Sequence, residues 1–557
     1  MFFPIIFFLT DSTQSMFRSN GRKMQFATDW FNAKIRILAS IFLMGCLVLY
    51  VIGTWHWPLV GDAALMHYVV FLMDHGMAPY RDIVDPNLPT TFLIQGAVVH
   101  LFGGDPLPWR LFDFFLLSVS GIAMWVICKP YGWFAGLFAA TLYALIHGRD
   151  GVIQLGQRDL TMTSFLLIGY AFLFEGLRAS SSEKIKPWMT FLFGVSCGIA
   201  STIKPSVLLL PPTVLFMAAL VLKRKGRPSV AHVTYGIIGM LVPVMIVLAY
   251  VFHQHLLRPF WGTLFDLIPY FGLLDTRSFG HLVLHSVSSV MLPIVLLWLP
   301  IVVAARDKWI TWERAALLVG VLFGLASFYV QRKGYPYHRY PSEAFMLLLI
   351  GIDFTTVLRE TALYRQPYLR RLALAGIIVG VVIIGGGSTV HALRQDGNNH
   401  EFGSMLEADL EPLGGNKLTS HIQCLDMADS CITALYDMKL VQATGFLYDC
   451  YMFSTAQHVE KERYREAFWR AIMKNPPTVF VISSHDCQVY PELPSYNYQK
   501  TTRWPLFNDY LKANYHLDVE RIPPHMVNWG SSPSKPLGYR IYIRNSSSLK
   551  PLPNSPD

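Results

Sequence analysis

The sequence predicts a polytopic α-helical membrane protein with about eleven transmembrane helices and a C-terminal extracytoplasmic α/β domain. Three observations lead there. Of 557 residues, 53% are hydrophobic and only 15% charged, and mean hydropathy is +0.36, whereas soluble domains carry roughly 25% charged residues. Apolar runs of about spanning length recur along most of the chain. After His391 the composition turns to Asp, Asn, Gly and Pro, and no later run could cross a bilayer.

The expected spans lie near 36–55, 109–128, 131–147, 160–177, 188–203, 206–222, 231–252, 281–304, 313–330, 342–358 and 372–393. The run LPTTFLIQGAVVHL at 89–102 is short and reads as an interfacial or re-entrant helix. Loop charge tests that choice, because cytoplasmic loops are enriched in Lys and Arg. With the N-terminus inside and 89–102 not spanning, cytoplasmic segments hold twenty Lys and Arg against ten in the outer segments before the last span. Counting 89–102 as a span would move KRKGR at 223–227 and RQPYLRR at 365–371 outside. The expected organisation is a cytoplasmic segment 1–34, a membrane domain 35–393 with a first outer loop 56–108, and an outer soluble domain 394–557. The expected location is a plasma or bacterial inner membrane. Much of the net charge of +9 is orientation signal toward membrane lipids, and it gives no reason to expect a nucleic-acid partner.

In residues 394–557, helix-like stretches at 459–474 and 504–514 alternate with strand-like TVFVISS at 478–484 and GYRIYIR at 538–544, the pattern of a small α/β domain. The tail from Asn545 reads as frayed. Cys424, Cys431, Cys450 and Cys487 fall here and Cys46, Cys128 and Cys197 in spans, so an oxidising compartment with up to two disulfides is expected. The apolar run at the extreme N-terminus precedes its basic residues, unlike a signal peptide, and suggests a translation start at Met16 or Met24. The Gly-rich run GIIVGVVIIGGG at 376–387 reads as a close helix-packing surface.

The chemistry candidates gather on the outer side. The long loop from Trp55 to Phe92 carries Asp62, Asp74, Asp82 and Asp85, and connections normally need only a few residues. Carboxylates at a membrane edge are costly unless solvated, paired or used. GRDGVIQLGQRDLTMTSF at 148–165 adds Asp150, Arg158 and Asp159. Lys204 follows in STIKPS, then HQHLLRPFWG at 253–262, then QRKGYPYHRYPSE at 331–343 with Arg332, Lys333, His338, Arg339 and Glu343. Carboxylates from separate loops plus clustered cations suit activation of an acceptor hydroxyl beside a phosphate-linked donor. Each also has a plainer reading: Asp62 or Asp159 as a helix cap, Asp82 and Asp85 as turn formers, Lys204 as a snorkelling lysine, and the 332–339 cations as headgroup anchors. No zinc-type spacing is present, and the sequence leaves divalent-cation dependence open.

The series Trp57, Asp62, Gly76, Pro79–Tyr80, Asp82, Asp85 and Pro89 resembles the first outer loop of GT-C glycosyltransferases. The nearest branch is that of the protein O-mannosyltransferases and the lipid A aminoarabinose transferase. Asp159 opening the fourth span and Lys204 in CGIASTIKPSVLLLPP at 197–212 continue the likeness. It departs at Gly61–Asp62–Ala63, where many relatives have an Asp-Glu pair, and at DPNLP, where relatives often show His-Pro-Pro or Glu-Lys-Pro. The resemblance implies transfer of a sugar from a polyprenyl-phosphate donor to a glycan, lipid or protein acceptor at the outer face, with inversion. It implies Asp62 as general base and Asp159 as a second acid orienting the acceptor or a cation. Lys204, Arg332, Lys333, His338 and Arg339 would hold the phosphate, and Tyr80, Asp82, Asp85 and Arg158 the substrates. A transporter or flippase is the rival reading; it would favour internal repeats and mid-span charges, and neither is evident.

Overall fold

The computed structural model describes residues 32–178, 186–227, 229–304, 311–359, 367–395, 401–426, 431–486, 495–496, 498–522 and 538–545. The N-terminal start candidates, Cys487 and the tail beyond Asn545 lie outside them. Among the described residues, eight helices are long and apolar enough to cross a membrane: Asn32–Thr54, Pro106–Tyr131, Arg158–Arg178, Pro205–Arg224, Ser229–His253, Trp312–Gln331, Pro336–Arg359 and Pro367–Arg394. Eight of the expected eleven spans thus qualify by length and composition, and the other three fall short of that measure. Trp133–Asp150 ends in the polar turn His147-Gly-Arg-Asp, Pro187–Ile203 has 17 residues, and the apolar run 281–304 is broken between His285 and Leu292. Pro89–Phe102 is a 14-residue helix.

Close approach of helices rests on glycine where side chains would collide. A Cβ on Gly194 would sit 2.2 Å from the Gly236 carbonyl oxygen, and one on Gly239 would sit 2.2 Å from that of Phe191. Helices Pro187–Ile203 and Ser229–His253 therefore touch backbone to backbone, as small residues allow in membranes. The 376–387 glycines act similarly: a Cβ on Gly376 would strike Phe354, one on Gly380 Phe138, and one on Gly385 Leu43.

Contacts define two ends of the bundle. At one, Asn32 donates to the Leu358 carbonyl, Arg178 pairs with Glu313, and Arg359 donates to the Tyr131 carbonyl. At the other, Arg110 donates to Thr54 and joins Asp113 and His147 in a fully buried network. Gln395, just past the last span, donates there to the Arg149 carbonyl.

The C-terminal region docks at this second end. Its four-stranded sheet runs in the order Ile422–Leu425, Val479–Ser483, Tyr539–Arg544, Tyr515–Arg521. The first pair is parallel and the rest antiparallel. Helices Val459–Lys474 and Pro505–Asn514 bury Phe468, Ile472, Phe507 and Leu511 against it. Cys424 and Cys431 form a disulfide and Cys450 is disulfide-bonded too, whereas Cys46, Cys128 and Cys197 are free and buried. Three contacts fix the docking. Val84 donates to the Gly445 carbonyl, the Tyr68 hydroxyl bridges Leu440 and Gln442, and Tyr270 donates to the Tyr451 carbonyl. Gly445 lies so close to the Asp82 backbone that any Cβ would overlap it.

Candidate functional site

Helix Gly61–Asp74 opens with Gly61 at φ +60°, a left-handed conformation that glycine adopts without strain. The N-cap is Val60 and no side chain caps this end, so the capping alternative for Asp62 does not hold. Asp62 sits in the first turn, where the helix dipole favours negative charge. Its Oδ2 accepts from Gln157 Nε2 at 3.1 Å and from the Tyr337 hydroxyl at 3.2 Å, while Oδ1 has no partner among the described residues.

The next wall is the turn from Gly151 to Gln157. Asp113 Oδ1 accepts the Gly156 N–H at 2.7 Å, and Trp109 donates to the Leu155 carbonyl at 3.1 Å. The buried Arg110–Asp113–His147 network thus holds the turn that presents Gln157 and Arg158. Arg158 begins a helix, its guanidinium only 22% exposed and 4.0 Å from Asp159. It makes no hydrogen bond among the described residues, and its Nε is buried without a partner. A largely buried guanidinium with unused donors is an anion site in waiting.

Lys204 follows the end of helix Pro187–Ile203 in an extended conformation, as the residue before a proline prefers. Its Nζ reaches both oxygens of fully buried Asp159, at 2.7 and 2.8 Å. Asp159 is thus paired with this ammonium, with Arg158 at 4.0 Å. The turn Pro336–Arg339 brings Tyr337 to Asp62 and buries His338, whose Nδ1 lacks a partner among the described residues. Lys204 and Arg158 are among the charged neighbours of His338. Tyr448 of the C-terminal region completes a cleft lined by Asp62, Met66, Asn87, Thr91, Ile94, Gln95, Trp109, Gln157, Arg158, Thr161 and Ile203 among others.

Asp62, Arg158, Asp159, Lys204 and His338 thus meet at one end of the bundle. Other candidates from sequence are engaged elsewhere. Arg339 is buried between Asp150 at 3.4 Å and Glu343 at 3.3 Å. Lys333 donates to the Phe271 and Leu274 carbonyls, and burial pushes its ammonium down to about 8. Arg332 is exposed, in a left-handed conformation at a helix end. Asp82 accepts the Ala78 N–H and pairs with exposed Arg81, which is a turn role. Tyr80 donates to the Asn87 carbonyl at 2.7 Å and packs on Phe92 and Phe260. His253 and His255 form part of no metal-holding group, and none of three or more His, Cys, Asp or Glu occurs among the described residues.

Asp85 lies just behind the cleft, 1% exposed. Its Oδ1 accepts the Asn87 N–H at 2.7 Å and its Oδ2 has no partner among the described residues. Burial pushes its carboxyl up to about 6, above the roughly 3.9 of an unfolded chain. The folded state then keeps a proton that the unfolded state has released. Stability should fall as pH rises from about 4 through 6, by up to about 3 kcal/mol. Asp85→Asn removes this dependence and keeps an acceptor for Asn87. Denaturation of the detergent-solubilised protein at pH 4, 5, 6 and 7 should show a flatter profile for the variant, and greater stability than the parent above pH 6.

Gln157, Tyr337, Asn87, Thr91, Gln95, Trp109 and Tyr448 were not legible as site residues. Uncharged side chains carry no cost that marks them in a membrane sequence. The nearest signal is adjacency, Gln157 to Arg158 and Tyr337 to His338, and Tyr448 has none.

The profile of the family described as dolichyl-phosphate-mannose-protein mannosyltransferase matches residues 85–250, which contain Asp85, Arg158, Asp159 and Lys204. The crystal structure of ArnT from Cupriavidus metallidurans bound to undecaprenyl phosphate superposes with a TM-score of 0.54 at 16% identity, covering 91% of this chain and 98% of that one. The chain has the GT-C fold. The apo form of the same ArnT gives 0.53 at 15% identity, over 90% of this chain and 97% of that one. The archaeal oligosaccharyltransferase AglB from Archaeoglobus fulgidus, in complex with an inhibitory peptide and a dolichol-phosphate, gives 0.51 at 10% identity over 82% and 69%. No curated protein matches the sequence. Because the ArnT likeness runs over nearly the whole of both chains, the GT-C fold here includes the docked C-terminal region as well as the bundle.

Proposed function

We propose that this GT-C chain transfers a sugar from a polyprenyl-phosphate donor to an acceptor hydroxyl in the cleft. The observation that carries the reading is the meeting of a half-bonded carboxylate, Asp62, with the Arg158 guanidinium, which makes no hydrogen bond among the described residues and lies 4.0 Å from Asp159, and with the Asp159–Lys204 pair. The bound form of ArnT holds undecaprenyl phosphate and the AglB structure a dolichol-phosphate, and an anion of that kind suits Arg158. Asp62 Oδ1 takes the acceptor proton as the acceptor oxygen bonds to the anomeric carbon. The bond from that carbon to the phosphate oxygen breaks, and its electron pair leaves on polyprenyl phosphate. Arg158, with Lys204 and His338 nearby, stabilises that growing charge. Gln157 and Tyr337 hold the Asp62 carboxylate in place. One displacement with one base inverts the anomeric centre.

The test is turnover in proteoliposomes with polyprenyl-phosphate donors carrying labelled sugar. Acceptor-dependent release of polyprenyl phosphate supports transfer; donor crossing the membrane with its sugar still attached contradicts it and favours a flippase. Orientation follows from charge. The end opposite the cleft carries Lys34, Arg36, Lys129, Arg178, Lys223, Arg224, Lys225, Arg227, Arg314 and Arg359, which reads as cytoplasmic and puts the cleft outside. A C-terminal alkaline phosphatase fusion should be active and a fluorescent-protein fusion dark. The reverse pattern would place cleft and C-terminal region in the cytoplasm.

A further inference from the structure

Beside Asp62 and Arg158, the cleft has a wall of polar side chains without charge. Asn87 is 5% exposed and Thr91 7%, yet Asn87 Oδ1 and Thr91 Oγ1 have no hydrogen-bond partner among the described residues. Buried polar atoms nearly always have one. The backbone around them is held firmly. The Asn87 N–H is bound by Asp85 at 2.7 Å, its carbonyl by the Tyr80 hydroxyl at 2.7 Å, and the Thr91 N–H by the Leu88 carbonyl at 3.0 Å. Gln95 adds an amide whose Nε2 contacts the Ala63 carbonyl and His67. Trp109, tethered through its Nε1, and Tyr448 contribute ring surface to the same cleft.

We infer that Asn87, Thr91 and Gln95, with the Trp109 and Tyr448 rings, form a subsite for an uncharged sugar on the donor. This rests on the polyprenyl-phosphate reading of the cleft. Rigid amide and hydroxyl groups with unused capacity match ring hydroxyls, and aromatic rings match the apolar face of a pyranose. Charge points the same way, because among the described lining residues Asp62 is the one carboxylate and Arg158 the one strong base. An amino sugar would pair with Asp62 and remove the base. A uronic acid would compete with the phosphate for Arg158.

The experiment measures binding to the full chain in lipid nanodiscs with three probes: polyprenyl phosphate alone, polyprenyl-phosphate hexose and polyprenyl-phosphate amino sugar. Bare polyprenyl phosphate should bind, and the neutral hexose should tighten binding about tenfold or more, the amino sugar not at all. Asn87→Ala and Thr91→Val should each remove most of the hexose increment and leave bare polyprenyl phosphate affinity unchanged, which also reports that the variants are folded. If bare polyprenyl phosphate binds but the hexose adds nothing, or the amino sugar is preferred, the subsite assignment is overturned while the phosphate reading stands. If the variants lower all three affinities equally, the assignment also fails, because the two side chains then support the cleft as a whole. If bare polyprenyl phosphate does not bind, the phosphate reading fails and the subsite with it.

Discussion

The Asp62→Asn chain should insert and fold like the parent and lose sugar transfer by about 10²–10⁴-fold, the loss typical of removing a general base. Fold should survive because Asp62 caps nothing and its two hydrogen bonds fall on one oxygen, which an amide oxygen can still accept. Gln157 and Tyr337 then keep their partner, and the cleft keeps its shape. The proton acceptor is what disappears. Binding of polyprenyl phosphate should change little, so the effect should sit in kcat rather than in donor affinity. A folded Asn variant with near-parental turnover would remove Asp62 from the chemistry.

Lys204→Met should act first on stability. The Asp159 carboxylate is fully buried and its strongest partner is the Lys204 ammonium, with Arg158 at 4.0 Å. Breaking a buried pair from one side leaves an uncompensated charge and costs about 3–5 kcal/mol. The double variant Asp159→Asn, Lys204→Met removes both charges, so it should recover most of that loss. It should not recover transfer, because the cation near the leaving phosphate is still missing. Chemical denaturation in detergent, run beside a turnover assay, separates the two effects. Equal stability of the single and double variants would show that the pair is not what holds this corner together.

Much of the architecture can be read from hydropathy and the rest cannot, for identifiable reasons. The apolar run 281–304 looks continuous, but Ser286, Ser288 and Ser289 sit where the helix stops, and the Ser288 N–H is taken by Glu343. Trp133–Asp150 looks like a span until its last turn, where His147 joins Asp113 and Tyr340 in a buried polar network. In the site, charge at helix ends is a good guide where two such ends meet, as for Asp159 and Lys204. It misleads within a single loop. Arg332, Lys333 and Arg339 read as one cationic cluster, but the backbone turns them in three directions, to solvent, to carbonyls of 271–274 and to two carboxylates. Only tertiary structure says which neighbour neutralises each of them. The strand-like and helix-like stretches of the C-terminal region were legible from their periods. Its docking through Gly445 and Tyr451 was not, because nothing local to those residues records the Val84 N–H and the Tyr270 hydroxyl that reach them.

One cleft should hold the donor phosphate beside the base. A structure of the full chain in lipid with polyprenyl phosphate bound tests it most directly. The phosphate should lie within hydrogen-bonding distance of Arg158, in the cleft that Asp62 lines, with Lys204 and His338 close by. A phosphate held instead at Arg332 and Lys333, or anywhere out of reach of the Asp62 cleft, would contradict it.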